Sequence, residues 1–120
     1  MKEVTFRGVF LTSADAAKTA AFYRDVGCLP LEQNGSSPGY VYWKLDKDGM
    51  QLAIHEARAF ADYAHPPFAQ SNVTHLYFKI VSQKEFLVHL QKLGVQPVRQ
   101  DDVVVTVTDP DGRQVMFGIA

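Results

Sequence analysis

Residues 109–120 read DPDGRQVMFGIA, and residues 46–57 read DKDGMQLAIHEA. Both stretches follow the pattern Asp-x-Asp-Gly-x-Gln and then continue as a mainly apolar run. Asp and Gly favour turns, because an Asp side chain bonds the nearby backbone and Gly takes a positive φ at no steric cost. We therefore predict that each stretch is a turn leading into a strand, and that the chain contains an internal repeat.

A helix with recognisable end signals lies upstream of each turn. In the first half Ser13 is the predicted N-cap of a helix that ends at Gly27, with Asp15 near the positive end of the helix dipole. In the second half Ser82 begins the capping-box sequence SQKE, and Gly94 ends the helix. The two halves therefore share a helix as well as a turn.

Segments rich in Val, Phe, Tyr and Thr surround each helix and are predicted to be strands. They lie at residues 3–12, about 30–33, 39–46 and 50–56, and again at 72–81, 95–100, 103–109 and 113–119. The sequence thus predicts an α+β fold of two βαβββ modules, 1–56 and 73–120, joined by a connector at 57–72 in a single domain of residues 1–120. Each module leaves one face of its sheet bare, which a second copy can help to cover.

Size and composition exclude several classes of protein. A chain of 120 residues with a net charge of −1 has no electrostatic surface for nucleic acid. No apolar run is long enough to span a membrane, and the N-terminus lacks the pattern of a signal peptide. Cys28 is the single cysteine, which excludes an internal disulfide, so we expect a cytoplasmic protein with Cys28 buried at a helix end.

Alternation along the predicted strands separates two faces of each sheet. One face is uniformly apolar and is predicted to be the core. The other face mixes apolar and polar side chains: Gly8, Phe10, Thr12, Gln51, Ala53, His55, His75, Tyr77, Gln114 and Met116. Apolar bulk with a few polar groups suits a small organic ligand, although such a face can also be merely solvated or buried in a dimer.

The stretches SADAAKTAAFYRDVGCLPLE, residues 13–32, and VTVTDPDGRQVMFGI, residues 105–119, resemble the vicinal oxygen chelate superfamily. That superfamily includes glyoxalase I, bleomycin-resistance proteins, fosfomycin-resistance enzymes and extradiol dioxygenases. The carriers of the resemblance are a helix ending Phe-Tyr-x-x-x-Gly and an Asp-Pro-Asp-Gly turn before the last strand, and the match covers essentially the whole chain. The resemblance implies a curved mixed sheet shaped as a cup, with the helices on its outer face, and a homodimer.

The resemblance also implies where metal ligands would stand. The four equivalent positions are Gly8, Ala53, His75 and Met116, with Gln51 as the alternative to Ala53. His75 is a good donor and Gln51 a weak one, whereas a catalytic zinc or iron site normally has about three protein ligands. We therefore expect no metal and no cofactor at these positions.

The predicted function is a metal-free, small-molecule-binding protein of the glyoxalase and bleomycin-resistance type, with its ligand in the cup of a homodimer. One alternative is a metal-dependent lyase, isomerase or dioxygenase with a remodelled site around His75. Another is a domain without a ligand, kept for dimer or partner contacts. A metal site rebuilt from three histidines stays open, and so does the role of the connector, which could be a lid over the cup or a contact with a partner subunit. The predicted ligand contacts are His75, Gln51, His55, Phe10, Thr12, Tyr77, Met116 and Trp43; the histidines of the alternative metal site are His55, His65 and His75.

Overall fold

The computed structural model describes residues 7–35, 40–60 and 76–120 of the chain. Contacts divide the chain into two units, Met1–Pro66 and Pro67–Ala120, each with one four-stranded sheet. Unit 1 contains β1 (Gly8–Ser13), α1 (Ala16–Asp25), β2 (Glu32–Gly35), β3 (Val41–Lys47), β4 (Met50–Glu56) and a short helix α2 (Ala57–Phe60). Unit 2 contains β5 (Leu76–Lys79), α3 (Gln83–Leu93), β6 (Arg99–Gln100), β7 (Val104–Thr108) and β8 (Gln114–Gly118).

The two sheets have the same topology. The strand order is β1-β4-β3-β2 in unit 1 and β5-β8-β7-β6 in unit 2. In each sheet the first and last strands of the unit pair in parallel, and the other pairs are antiparallel. The predicted α+β fold, with strand, helix and three strands occurring twice, is confirmed.

One face of each sheet carries the helix and the core. In unit 1, Glu56 accepts a hydrogen bond from the backbone N–H of Ala16 at the start of α1 (2.8 Å), so the even-numbered residues of β4 face this helix. Leu11 and Ile54 are buried on that side. In unit 2 the ring of Phe86 from α3 stacks on Phe117 of β8 at 4.5 Å between centroids. Within the described residues, the long helix of each unit thus packs on this one face of its sheet.

The end signals of the second helix were predicted correctly, and those of the first were not. Ser82 accepts from the backbone N–H of Glu85, and Gly94 has the left-handed conformation. For α1 the N-cap is Asp15, which accepts from the Lys18 N–H at 3.1 Å. Ser13 does not cap the helix because it is the last residue of β1. Its buried hydroxyl accepts a hydrogen bond from the backbone N–H of Asp15 instead.

The end of α1 also differs from the prediction. The helix ends at Asp25, and the residue with positive φ is Cys28 (φ 55), not Gly27. Gly27 is required for space instead, because a Cβ there would lie 2.8 Å from the carbonyl oxygen of Tyr23. Cys28 is exposed, so its predicted burial was wrong: the turn carries it out from the helix end.

The two Asp-x-Asp-Gly turns differ in structure. Asp48 and Gly49 both have positive φ and form a two-residue hairpin turn between β3 and β4. The second turn is longer, and Asp109, 4% exposed, organises it. Its carboxylate accepts from the backbone N–H of Asp111 (2.8 Å) and from the N–H (2.9 Å) and guanidinium (2.8 Å) of Arg113. A repeat in sequence has therefore become a tight hairpin in one unit and a carboxylate-centred loop in the other.

Removing the first Asp of each turn is expected to have unequal effects. Asp109→Ala removes a buried carboxylate, leaves its three partly buried donors without their acceptor, and should lower the free energy of unfolding by about 2–4 kcal/mol. The matched variant Asp46→Ala removes two partly exposed ion pairs, with Arg7 and with Lys44, and should cost much less. Urea denaturation of both variants measures the difference, and equal losses would contradict this account of the two turns.

Candidate functional site

The face of the unit 1 sheet that lies away from α1 is called here the open face. It comprises the odd-numbered residues of β4 and their neighbours on β1 and β3. Parallel pairing of β1 with β4 sets residues of the open face side by side: Gly8 with Gln51, Phe10 with Ala53, and Thr12 with His55. Four of the predicted ligand contacts, Phe10, Thr12, Gln51 and His55, therefore share this face.

Three aromatic side chains surround His55 on the open face. The imidazole stacks on Tyr42, its partner across β3 and β4, with 4.9 Å between centroids and 12° between planes. Phe10 approaches from β1 at 5.3 Å between centroids. The hydroxyl of Tyr40 shares a hydrogen bond of 2.5 Å with Nδ1 of His55. These four residues are called the aromatic cluster.

Burial decides the charge of His55. The side chain is only 7% exposed, and desolvation lowers the pKa of its imidazole from the ordinary value of 6.5. The ring is therefore neutral at pH 7, with one nitrogen that donates and one that accepts hydrogen bonds. The stacked rings of His55 and Tyr42 are thus an uncharged aromatic pair. The hydrogen bond between His55 and Tyr40 joins two groups that can each donate or accept a proton.

The other end of the open face is charged. Asp46 accepts from Arg7 at 2.7 Å and from Lys44 at 3.0 Å. The hydrogen bond with Lys44 lowers the pKa of the Asp46 carboxyl, and the same bond raises the pKa of Lys44. The amide nitrogen of Gln51 lies 3.4 and 3.5 Å from the two carboxylate oxygens of Asp46. Gln51 is thus directed towards a carboxylate.

The described metal-ligand positions do not fit a divalent ion. Gly8 has φ 154, and a Cβ there would lie 1.9 Å from the backbone oxygen of Gln51, so β1 has no room for a ligating side chain at this point. Ala53 is fully buried and has no donor atom. In the part of the chain that the structure describes, no three His, Cys, Asp or Glu side chains are grouped closely enough to hold an ion.

Several predicted residues fall elsewhere. Trp43 pairs with the buried Ile54 and so lies on the α1 side of the sheet, apart from His55. His75, around which the site of the alternative enzyme was predicted, lies outside the described residues. The same holds for His65 and for connector residues 61–72, so the three-histidine site and the lid stay predictions.

Tyr77 and Met116 lie on the face of the unit 2 sheet opposite α3. They are neighbours across β5 and β8, and Met116 also pairs with Thr106 of β7. Tyr77 donates a hydrogen bond to the carbonyl of Ala120 at 3.0 Å and covers Gly118, where a Cβ would lie 2.1 Å from its hydroxyl. Tyr77 is therefore held across the end of β8.

A depression beside Met116, here called the strand hollow, has a volume of about 410 Å³. It is lined by Arg99, Asp101, Val104, Thr106, Gln114 and Met116. Arg99, Asp101 and Thr106 were not among the predicted ligand contacts, and neither were Tyr40 and Tyr42 of the aromatic cluster. Alternation along β7 could have indicated Thr106; the position of Arg99 depends on pairing that the sequence does not reveal.

A second depression, of about 470 Å³, lies along the exposed side of α3. All its walls come from this one helix and its cap: Ser82, Lys84, Glu85, Val88, His89 and Lys92. A groove along one helix lacks the converging walls of a ligand site. None of the helices in the described ranges is both long and apolar enough to cross a membrane.

Comparison with solved structures shows the fold. No protein-family model matches the chain, and no curated protein matches it. A lactoylglutathione lyase from Agrobacterium tumefaciens is 20% identical, with a TM-score of 0.65 over 98% of this chain and 95% of that one. A mutant of the fosfomycin-resistance protein FosX from Listeria monocytogenes, solved with Mn(II) and 1S,2S-dihydroxypropylphosphonic acid, is 16% identical, with a TM-score of 0.69 over 99% and 94%.

A third solved structure, TioX from Micromonospora sp. ML1, is 16% identical and has a TM-score of 0.69 over 95% of this chain and 97% of that one. At these identities the likeness concerns the fold. The predicted α+β fold is the fold that these solved structures share.

Adding one methyl group at Gly8 tests the close approach of β1 and β4. Gly8→Ala should lower the free energy of unfolding by about 2–4 kcal/mol, because the new Cβ meets backbone that cannot move aside. Gly94→Ala is the matched control: it also has positive φ but open space around the new Cβ, so its cost should stay near 1 kcal/mol, roughly that of the left-handed conformation. Guanidinium denaturation compares the two, and a smaller loss at Gly8 would refute the close approach.

The buried His55 should make stability depend on pH. Its folded pKa lies below 6.5, so on acidification the unfolded chain binds a proton that the folded chain excludes. This contribution is complete above pH 6.5 and is lost as the pH falls from 6.5 through the lowered folded pKa, by at most about 1.4 kcal/mol per pH unit.

The variant His55→Phe keeps a ring against Tyr42 but cannot titrate. Chemical denaturation between pH 7.5 and 5 should show a shallower pH dependence in this variant than in the parent. Val88→Ala, a truncation on α3 that removes no titrating group, should keep the parental slope. An unchanged slope in His55→Phe would show that burial does not depress this pKa.

Proposed function

We propose that this chain, which has the fold of the solved glyoxalase and fosfomycin-resistance structures, is a metal-free protein that binds a small organic molecule. The observation that carries the proposal is the composition of the open face. Where the resemblance puts metal ligands on β1 and β4, the face has a glycine pressed against backbone and a buried alanine. Beside them lies the aromatic cluster.

The absence of donor atoms at these positions supports the metal-free part. Gln51 alone offers an oxygen there, and its amide lies against the Asp46 carboxylate. A divalent ion held by one neutral amide oxygen would keep most of its water, because such ions need several oxygen or nitrogen ligands. His75 and Met116 would add one nitrogen and one soft thioether, which do not complete a set for zinc, manganese or iron.

The aromatic cluster supports the ligand part. Phe10 is 49% exposed although it is a large apolar side chain, and Tyr40 is also exposed beside it. The neutral, buried imidazole of His55 forms the floor between them. Such a surface gains most from a flat, partly apolar molecule that covers the rings and meets the Tyr40 hydroxyl.

We also propose that the protein is a homodimer. The family resemblance implies it, and each sheet has outer strands, β1 and β2 in unit 1 and β5 and β6 in unit 2, whose edges a second copy could cover.

One observation favours an enzyme instead. The hydrogen bond between Tyr40 and His55 joins two groups that can each donate or accept a proton, with the phenol on the exposed side. In that case the pair would move a proton of a bound substrate in a lyase or isomerase reaction. The metal-dependent form of this alternative, centred on His75, would need ligands beyond those of the described residues.

Removal of the exposed ring should weaken binding. In a thermal-shift screen of the parent, flat aromatic compounds should raise the melting temperature. Phe10→Ala should weaken the best compound about tenfold, since a lost aromatic contact is worth about 1 kcal/mol or more. Val88→Ala, which truncates a similarly exposed side chain (44%) on α3, should leave the affinity unchanged.

No stabilising compound in a broad panel, or equal affinity of Phe10→Ala and the parent, would contradict the proposal. The enzyme would be favoured if the protein converts a bound compound, and if Tyr40→Phe and His55→Phe abolish this turnover but still bind the compound.

A further inference from the structure

We infer that the strand hollow of unit 2 binds the carboxylate group of a small organic acid. This deepens the proposed function and rests on it, because Met116 of the hollow is one of the predicted ligand contacts. The hollow has a volume of about 410 Å³, within the usual range of about 300–1,000 Å³ for small-molecule sites. Its residues come from three strands and one turn.

The hollow lies on the face of the sheet away from α3. Met116 and Thr106 are direct neighbours across β7 and β8. The residues that alternate with them, Val105 and Phe117, are buried, and the Phe117 ring stacks on Phe86 of α3. Because strand residues alternate between faces, the side chains of Thr106 and Met116 project on the other side, where Thr106 is 7% exposed and Met116 is partly exposed.

The polar lining consists mainly of hydrogen-bond donors or groups that can donate. Arg99 stands beside Thr106 in the β6–β7 pairing, and Gln114 lies on the neighbouring strand. Together they offer a guanidinium, a hydroxyl and an amide. The planar guanidinium fork matches the two oxygens of a carboxylate, and charge-assisted bonds of this kind are the strongest polar contacts such a site can make.

Asp101 adds a negative charge to the rim, but its carboxylate is already engaged. One oxygen accepts from the backbone N–H groups of Val103 and Val104, each at 2.8 Å, and these bonds lower the pKa of the Asp101 carboxyl. The Asp101 carbonyl accepts from the side chain of Gln83 at 2.7 Å, which ties the turn to the start of α3. Asp101 thus shapes the wall of the hollow.

Arg99 keeps its donors available for a ligand. Within the described residues Arg99 is in none of the ion pairs found for Arg7, Lys44 and Arg113, and its charge helps to lower the pKa of the neighbouring Asp101 carboxyl. Val104 and Met116 supply apolar surface next to it. The combination selects an acid whose carboxylate meets Arg99 and whose apolar body covers Met116.

The test compares an acid with its neutral isostere. Amide ¹H–¹⁵N NMR spectra of the full chain are titrated with benzoate and phenylacetate, with their primary amides, and with sulfate. The acids should shift the signals of residues 104–106 and 114–116, and the amides should bind at least about tenfold more weakly. Shifts caused by sulfate as strongly as by the acids would reduce the site to general anion attraction and overturn the inference.

Variants separate the cation from its surroundings. Arg99→Gln should weaken acid binding at the hollow about tenfold or more, and Arg99→Lys should give an intermediate loss because it keeps the charge without the fork. Asp101→Asn keeps an acceptor for the two backbone N–H groups and should bind the acids at least as tightly as the parent. Lys92→Gln makes the same charge change as Arg99→Gln, on α3, and should have no effect.

Weaker binding in Asp101→Asn, full binding in Arg99→Gln, or equal binding of acids and amides would each overturn the inference. If compounds shift Phe10 and Tyr42 but leave the hollow unchanged, the carboxylate site is refuted and the proposed function stands. If no compound shifts either unit, the proposed function fails as well.

Discussion

The close approach of Gly8 to the backbone of Gln51 is the constraint on which the open face depends. The parallel pairing of β1 with β4 leaves no space for a side chain at Gly8, since a Cβ would lie 1.9 Å from the Gln51 carbonyl oxygen. The same register pairs Phe10 with Ala53. It also pairs Thr12 with His55, whose ring contacts that of Phe10. Because there is room only for glycine at residue 8, β1 cannot present a ligating side chain on the open face at this point.

The described side chains of the open face stack on one another and form hydrogen bonds. His55 is kept neutral by burial and packs against Tyr42, while the charges of this face are gathered around Asp46 at its other end. In unit 2, Met116 occupies the position equivalent to Ala53 of unit 1. It lies beside the strand hollow, whose cation is Arg99. Both sheets offer apolar surface next to a few directed polar groups, which is the composition of sites for small organic molecules.

The sequence predicted the features that depend on local patterns. Period-two alternation placed Phe10, Thr12, Gln51 and His55 on one face, and the cap signals at Ser82 and Gly94 marked the second helix correctly. Features that depend on pairing between distant segments could not be predicted from the sequence. The contacts of Tyr40 and Tyr42 with His55 depend on the β3–β4 register, and Arg99 reaches the hollow through a strand of two residues. Trp43 was assigned to the ligand set without knowledge of its partner Ile54, which places it on the side of α1.

The central claim is that the ligand face does without a metal ion, and calorimetric titration of the chelator-treated protein with zinc, manganese, nickel and iron(II) tests it most directly. The account predicts no stoichiometric binding of any of these ions, and an affinity for the best organic ligand that is the same with EDTA as with added metal. One tightly bound ion per chain, lost in Gln51→Ala and in His75→Ala, would contradict it.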